Sequence, residues 1–253
     1  MSILARFGYE VFNSRKYYSQ DGLRTVHDPR FLRADPAFAD AYARGVAASA
    51  GHDPQFAWRV HGALWAAATA LRNSSAAGDF VECGVNAGFM SSAILRQLDW
   101  NHNLAAAGRR YFLIDTFAGP VLEQFSEAEV QAGRRAIAEQ NLASGSYVTA
   151  LERVRANFAE WERVHVVPGV IPEVLADVPV ENVAFLHVDL NCALPEIAAL
   201  EYFWPRMPRG AMILLDDYCY LGHTEQGDAA DHFAASRHAQ ILALPTGQGL
   251  LVR

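Results

Sequence analysis

The feature that most constrains the fold is a change of hydrophobic period at Gly78. From there on, short and nearly continuous apolar runs at 80–85, 111–115, 164–167, 183–190 and 211–216 alternate with helical stretches near 91–97, 127–139, 148–161, 172–176 and 195–203. Strands that are apolar on both faces and separated by helices imply a parallel sheet covered on both sides. The chain ends differently: a helix at 228–236 leads into two apolar runs, 240–244 and 249–252, joined by Pro-Thr-Gly-Gln. That pattern predicts an antiparallel hairpin closing an otherwise parallel sheet. Periodicity leaves the strand order open.

Upstream of Gly78 the pattern is helical, and no strand is expected. Phe38, Tyr42 and Val46 recur every four residues within 36–50, and Asp35-Pro36 supplies a cap and a first-turn proline. A second helix over 54–72 carries Phe56, Trp58, Leu64 and Trp65 and stops at Asn73-Ser74-Ser75. Residues 1–75 therefore read as a helical cover and 76–253 as the sheet domain. Arg6 and Glu10 interrupt any apolar leader, and the longest apolar stretch, 62–71, is about half of the roughly 20 residues that span a bilayer.

The 253 residues suit one sheet domain with an appendage. With 28 Asp+Glu against 21 Lys+Arg, the net charge of -7 argues against nucleic acid or an anionic membrane as partner and leaves a small molecule. Cys83, Cys192 and Cys219 form neither a disulfide framework nor a CxxC zinc site, so a reducing cytoplasm is expected. The aromatic N-terminal third could bury an interface between copies of the chain.

In open α/β sheets a ligand lies beyond the carboxyl ends of the strands. The first strand ends in Glu82-Cys83-Gly84-Val85-Asn86-Ala87-Gly88, where Gly84 and Gly88 would let backbone approach a ligand and the next helix would offer free N–H groups. The same residues are also what a tight strand-to-helix turn requires. The second strand ends in Asp115, suited to accept hydrogen bonds from both hydroxyls of a ribose, or to cap a turn. The third ends in Pro168-Gly169-Val170, where an adenine could rest.

The fourth and fifth strands end in His187-Val188-Asp189 and Leu215-Asp216-Asp217. Neighbouring strands lie roughly 4.8 Å apart, so these carboxylates can converge, and three together need a raised pKa or a cation. An all-oxygen set suits Mg2+ better than zinc. Asp216 and Asp217 both reach the site only if the strand ends there, and one of them could instead cap the following turn.

GDFVECGVNAG, YFLIDTFAG, LHVDLN and ILLDDY, in that order, resemble the macrocin O-methyltransferase (TylF-like) family of class I S-adenosylmethionine-dependent methyltransferases over about residues 50–253. The resemblance implies a Rossmann-like, mostly parallel seven-stranded sheet of order 3-2-1-4-5-7-6 with the last strand antiparallel. It places S-adenosylmethionine on Glu82, Gly84, Gly88 and Asp115 and magnesium on Asp189, Asp216 and Asp217. It also implies an acceptor that is a sugar hydroxyl. Leu190-Asn191-Cys192 departs from the Gly-Asp-Leu type segment common in the family.

The expected chemistry is Mg-assisted O-methylation, with Asp189 the first candidate for proton acceptor and His223 the second. His223 could equally be a solvated loop residue. Tyr17, Tyr18, Phe31 and His61 could line an acceptor lid, although packing suits each of them better. A nicotinamide-dependent oxidoreductase would share the glycine turn and the second-strand acid, but the glycine pattern is incomplete and the paired aspartates have no place in it. A protein that keeps the cofactor pocket without turnover is the third reading.

Overall fold

The computed structural model describes residues 17–73, 78–148 and 150–253. The N-terminal stretch with Arg6 and Glu10, and Ser74 and Ser75 of the expected break, lie outside them.

The described chain opens on a hairpin, which corrects the expectation of no strand in this region. β1 (Tyr18–Gln20) and β2 (Leu23–Thr25) pair antiparallel around Asp21-Gly22. Both turn residues have positive φ, 47° and 75°, which a two-residue hairpin turn needs and Asp-Gly adopts readily. The short helix α1 (Arg30–Ala34) precedes α2 (Pro36–Ala48), where Asp35 Oδ1 caps the amides of Ala37 and Phe38 at 3.0 and 3.2 Å. α3 (Ala57–Asn73) is capped by the hairpin: Gln20 Oε1 accepts from Ala57 N at 3.2 Å and the Tyr18 hydroxyl from Trp58 N at 3.1 Å. The buried face of α3 (Val60, Ala63, Ala67, Ala70) is mostly alanine, which lets the helix lie close against the sheet.

The sheet begins with β3 (Asp79–Cys83), followed by α4 (Phe89–Gln97), a π-helical turn at Asn101–Ala105 and β4 (Tyr111–Asp115). Gly133, with φ 80°, breaks the single helix expected at 127–139 into α5 (Glu127–Gln131) and α6 (Arg134–Ala143). α7 (Leu151–Phe158) and β5 (Val164–Pro168) follow, and the stretch expected as a helix near 172–176 is a 3-10 turn at Glu173–Asp177. β6 (Val183–Val188), α8 (Ala193–Phe203), β7 (Met212–Leu215), α9 (Thr224–Ala235), β8 (Ile241–Ala243) and β9 (Gly249–Val252) complete the chain.

The strands run β5-β4-β3-β6-β7-β9-β8, which is 3-2-1-4-5-7-6 counted from β3. β9 is antiparallel to both neighbours, and the other pairings are parallel. Successive side chains alternate between two cores. Phe80, Leu113, Phe185 and Leu214 pack with α4 and the N-terminal helices, whereas Val81, Phe112, Leu186 and Ile213 pack with α8 and α9. Among the described residues no helix is long and apolar enough to cross a membrane.

Candidate active site

β3 and β6 are neighbours in the sheet but far apart in the chain, so the strand order reverses between them and a crevice opens at their carboxyl ends. The backbone there is stitched strand to strand: Gly84 N donates to Ile114 O at 2.9 Å, Asp189 N to Cys83 O at 2.8 Å and Asp216 N to Val188 O at 2.9 Å. Gly84 has φ 89°, and a β-carbon built on it would lie 1.7 Å from Asp189 O, so only glycine lets the two strand ends close up. Gly88, with φ 87°, starts α4, and its missing β-carbon makes room for the Phe158 ring. It stands behind the turn rather than in the lining of the two cavities described below.

Asp115 binds that turn directly. Its Oδ2 accepts from Val85 N at 2.7 Å and Asn86 N at 2.9 Å, and its Oδ1 from Phe117 N at 2.7 Å. The carboxylate therefore holds two strand-end loops in register while still lining the crevice.

β7 ends at Leu215, so Asp216 and Asp217 both lie past the strand and are not forced to opposite faces. The guanidinium of Arg59, on α3, joins them: Nη2 is 2.5 Å from Asp216 Oδ2, 3.2 Å from Asp217 Oδ1 and 2.7 Å from Asp216 O. Gln248 Nε2 donates to Asp216 Oδ1 at 2.8 Å. His187 lies 3.6 Å from both Asp216 Oδ1 and Glu82 Oε1, an ion-pair separation longer than a hydrogen bond. Burial works against a charged His187, but the flanking Asp216 and Glu82 outweigh it and push its pKa up to about 10. Glu82 also accepts from the buried Tyr111 hydroxyl at 3.0 Å.

Burial would raise the Asp216 pKa, but Arg59, His187 and Gln248 overcome it and hold this carboxyl below the usual range. Asp189 goes the other way: burial and the repulsion of Asp216 and Asp217 hold it well above the usual carboxylate range. Burial and Asp216 raise Asp217 as well. Asn191 Nδ2 donates to Asp189 Oδ1 at 3.2 Å. The donor set is all oxygen, the chemistry of a hard divalent cation, but Arg59 already pairs with Asp216 and Asp217. Among the described residues, however, no three His, Cys, Asp or Glu side chains are gathered as a metal-holding group.

Two cavities meet at this point. One, of about 100 Å³, is lined by Asp115, Gly119, Tyr147, Gly169 and Ile171; the other, of about 250 Å³, by Phe56, Arg59, Glu82, Phe89, His187 and Asp216. Gly84, Asn86 and Asp189 line both. His223 is not a solvated loop residue: it is buried at the start of α9, 3.4 Å from Asp217 Oδ2 and 2.5 Å from Gln226 Oε1, and lines neither cavity. Its pKa is lowered, chiefly by burial. His61 stacks on Phe31 with ring centroids 4.0 Å apart, and Tyr18 caps α3, so both serve packing. All three cysteines are free, and burial and Glu82 push the Cys83 thiol up, away from nucleophilic use.

Three site residues escaped the sequence-based expectation. Arg59 signals itself only as a charge in the first turn of an alanine-rich helix. Asn86, with φ 50°, pins the 146–148 segment through Val148 N (2.8 Å) and Ser146 O (3.2 Å). Tyr147, on that segment, lines the smaller cavity.

The fold is similar to that of the O-methyltransferase NovP (TM-score 0.64, 22% identity, 80% of this chain and 82% of that one). It is also similar to the calicheamicin methyltransferase CalS11 (TM-score 0.55, 18% identity, 96% and 98%). A curated relative from Streptomyces olivaceus, 8-demethyl-8-(2,3-dimethoxy-alpha-L-rhamnosyl)-tetracenomycin-C 4'-O-methyltransferase, is 30% identical over 145 residues. That match covers 56% of this chain and 53% of the relative, so the chain spans about half the length of the protein it matches. The sequence profile of the macrocin O-methyltransferase (TylF) family matches residues 46–242, most of the two cavities' lining among them, and the chain belongs to that family.

Proposed function

We propose that this protein transfers a methyl group from S-adenosylmethionine to a hydroxyl of a sugar or glycoside. The observation that carries the reading is the place of Asp189, a half-buried carboxyl shared by both cavities beside the glycine turn. The smaller cavity, with Asp115 and Gly169, is assigned to the nucleoside of the donor, and the larger one to the acceptor and the reacting centre. The acidic lining suits a sulfonium cation.

In this scheme the acceptor oxygen attacks the methyl carbon, the carbon–sulfur bond breaks with its electrons going to sulfur, and S-adenosylhomocysteine is left. The hydroxyl proton passes to Asp189, whose raised pKa makes it a stronger base than an ordinary aspartate. Asn191 orients that carboxyl, while Phe56 and Phe89 in the lining of the larger cavity give an apolar sugar face something to rest on and exclude water. His223 braces Asp217 from behind. A Mg2+ ion would be held by Asp189, Asp216 and Asp217, which would first have to draw together, and when bound it would supply positive charge that lowers the pKa of the acceptor hydroxyl. A rhamnosyl acceptor for the Streptomyces relative supports a sugar as substrate class.

The family assignment leaves no support for the oxidoreductase alternative. Calorimetry with S-adenosylhomocysteine and NAD tests the cofactor: one molecule of the sulfur nucleoside per chain is expected and no NAD, whereas NAD binding without S-adenosylhomocysteine binding would contradict the proposal.

A further inference from the structure

We infer that Arg59 is the positioning residue of this site and that the N-terminal hairpin is part of the site's assembly rather than a passive cover. This rests on the methyltransferase reading for its activity arm alone. Arg59 is 7% exposed, yet it faces four acceptors on two separate parts of the chain. It bonds Asp216 Oδ2, Asp216 O and Asp217 Oδ1 beyond β7, and its Nη1 lies 3.3 Å from Asp21 Oδ2 in the hairpin turn. Tyr220 closes the ring: its hydroxyl donates to Asp21 Oδ1 at 3.0 Å and its face lies 4.8 Å from the guanidinium carbon. The hairpin in turn caps α3 at the two residues before Arg59, Ala57 and Trp58, through Gln20 and Tyr18.

Each link depends on the one before. The hairpin fixes the first turn of α3, that turn aims the guanidinium, and the guanidinium holds two repelling aspartates side by side. The guanidinium spans two parts of the chain with two nitrogens, Nη2 toward Asp216 and Asp217 and Nη1 toward Asp21, a span that the single nitrogen of a lysine does not make. A lysine ammonium at this position retains the charge but not the fork. Any divalent cation entering the site shares Asp216 and Asp217 with Arg59, so the residue also sets how many carboxylate oxygens are left for it.

The test uses Arg59→Ala, Arg59→Lys and Asp21→Asn in the full chain, with three measurements: methyl transfer, S-adenosylhomocysteine affinity, and amide hydrogen exchange over residues 18–25. Arg59→Ala is expected to lower kcat by about a hundredfold, because the two aspartates lose the cation that fixes their position and small displacements at a reacting centre cost about that much. Cofactor affinity changes by less than about fivefold, because the Asp115 contacts are untouched. Added guanidinium ion, at millimolar concentration, restores transfer in Arg59→Ala where equal sodium chloride does not. In Arg59→Lys the loss falls on kcat rather than KM. Hairpin exchange accelerates in all three variants while exchange in β3 and β6 stays as in the parent protein.

Parent-level transfer in Arg59→Lys, or a loss in Arg59→Ala that guanidinium does not reverse, would overturn the inference, as would unchanged hairpin exchange in Arg59→Lys and Asp21→Asn. The exchange measurement needs neither donor nor acceptor. A parent protein that fails to bind S-adenosylhomocysteine would refute the functional reading and leave the hairpin coupling to be decided by exchange alone.

Discussion

Gly84 and Asp189 meet at the carboxyl ends of adjacent strands so closely that a β-carbon on the glycine would stand 1.7 Å from the aspartate's carbonyl oxygen. The contact fixes the position of Asp189 relative to the glycine turn that lines both cavities with it. Gly84→Ala is expected to cost more than about 4 kcal/mol, because backbone must move and the residue is held at positive φ. Gly108 has nearly the same φ, 85°, but open space around it, so Gly108→Ala should cost only the left-handed strain of about 1–2 kcal/mol. Thermal or denaturant unfolding of the two variants checks the difference, and equal costs would show that the close approach is not limiting.

Asp115 holds three loop amides in addition to any ribose it meets. Asp115→Ala should weaken S-adenosylhomocysteine binding by about 3 kcal/mol, roughly a hundredfold. Asp115→Asn, which keeps one acceptor oxygen, should fall between. Calorimetric affinities indistinguishable from the parent's would remove Asp115 from the donor site.

Asn86 touches both cavities and ties down the segment that carries Tyr147. Asn86→Ala removes two hydrogen bonds, each worth about 1 kcal/mol, so a loss of donor affinity of up to about thirtyfold is expected. Faster amide exchange at Val148, whose N–H loses its acceptor, should accompany it; unaltered exchange there would refute the pinning role.

The sheet domain was legible in the sequence because its strands are buried on both faces and end abruptly in polar residues, as at Ile114-Asp115 and Val188-Asp189. The same logic found Asp216 and Asp217. Strand order was not readable from periodicity and came from the family resemblance. The hairpin was missed because strands of three residues carry no alternation, although Asp21-Gly22 was its available signal. The helix break at Gly133 was likewise marked only by one glycine. Arg59 could not be placed because its partners are 157 and 158 residues away in the chain. His223 does precede α9, as the loop reading expected, but the fold buries it there against Asp217, which its sequence neighbours do not signal.

Glu196 gives the fold a pH dependence. Its Oε1 accepts from Leu190 N at 3.2 Å and Gln226 Nε2 at 2.8 Å, while burial and Asp217 push its pKa from 4.5 up to about 8. Between those values the folded chain holds a proton that the unfolded chain has released, so this group's contribution makes stability fall as pH rises. Glu196→Gln removes the penalty, and its melting temperature should gain on the parent's progressively from pH 5 to pH 8. A difference between the two proteins that stays flat across that range would contradict the assignment.

In the proposed function Asp189 takes the proton of a sugar hydroxyl as the methyl group is transferred. Mass spectrometry of rhamnosides and other glycosides incubated with S-adenosylmethionine and Mg2+ tests it directly, using the parent protein and Asp189→Asn, with S-adenosylhomocysteine affinity measured alongside. The expected result is one added methyl on a sugar hydroxyl with the parent protein and none with Asp189→Asn, although the variant still binds the nucleoside. Equal methylation by both proteins, or no methylated sugar from a parent protein that binds the nucleoside, would contradict the account.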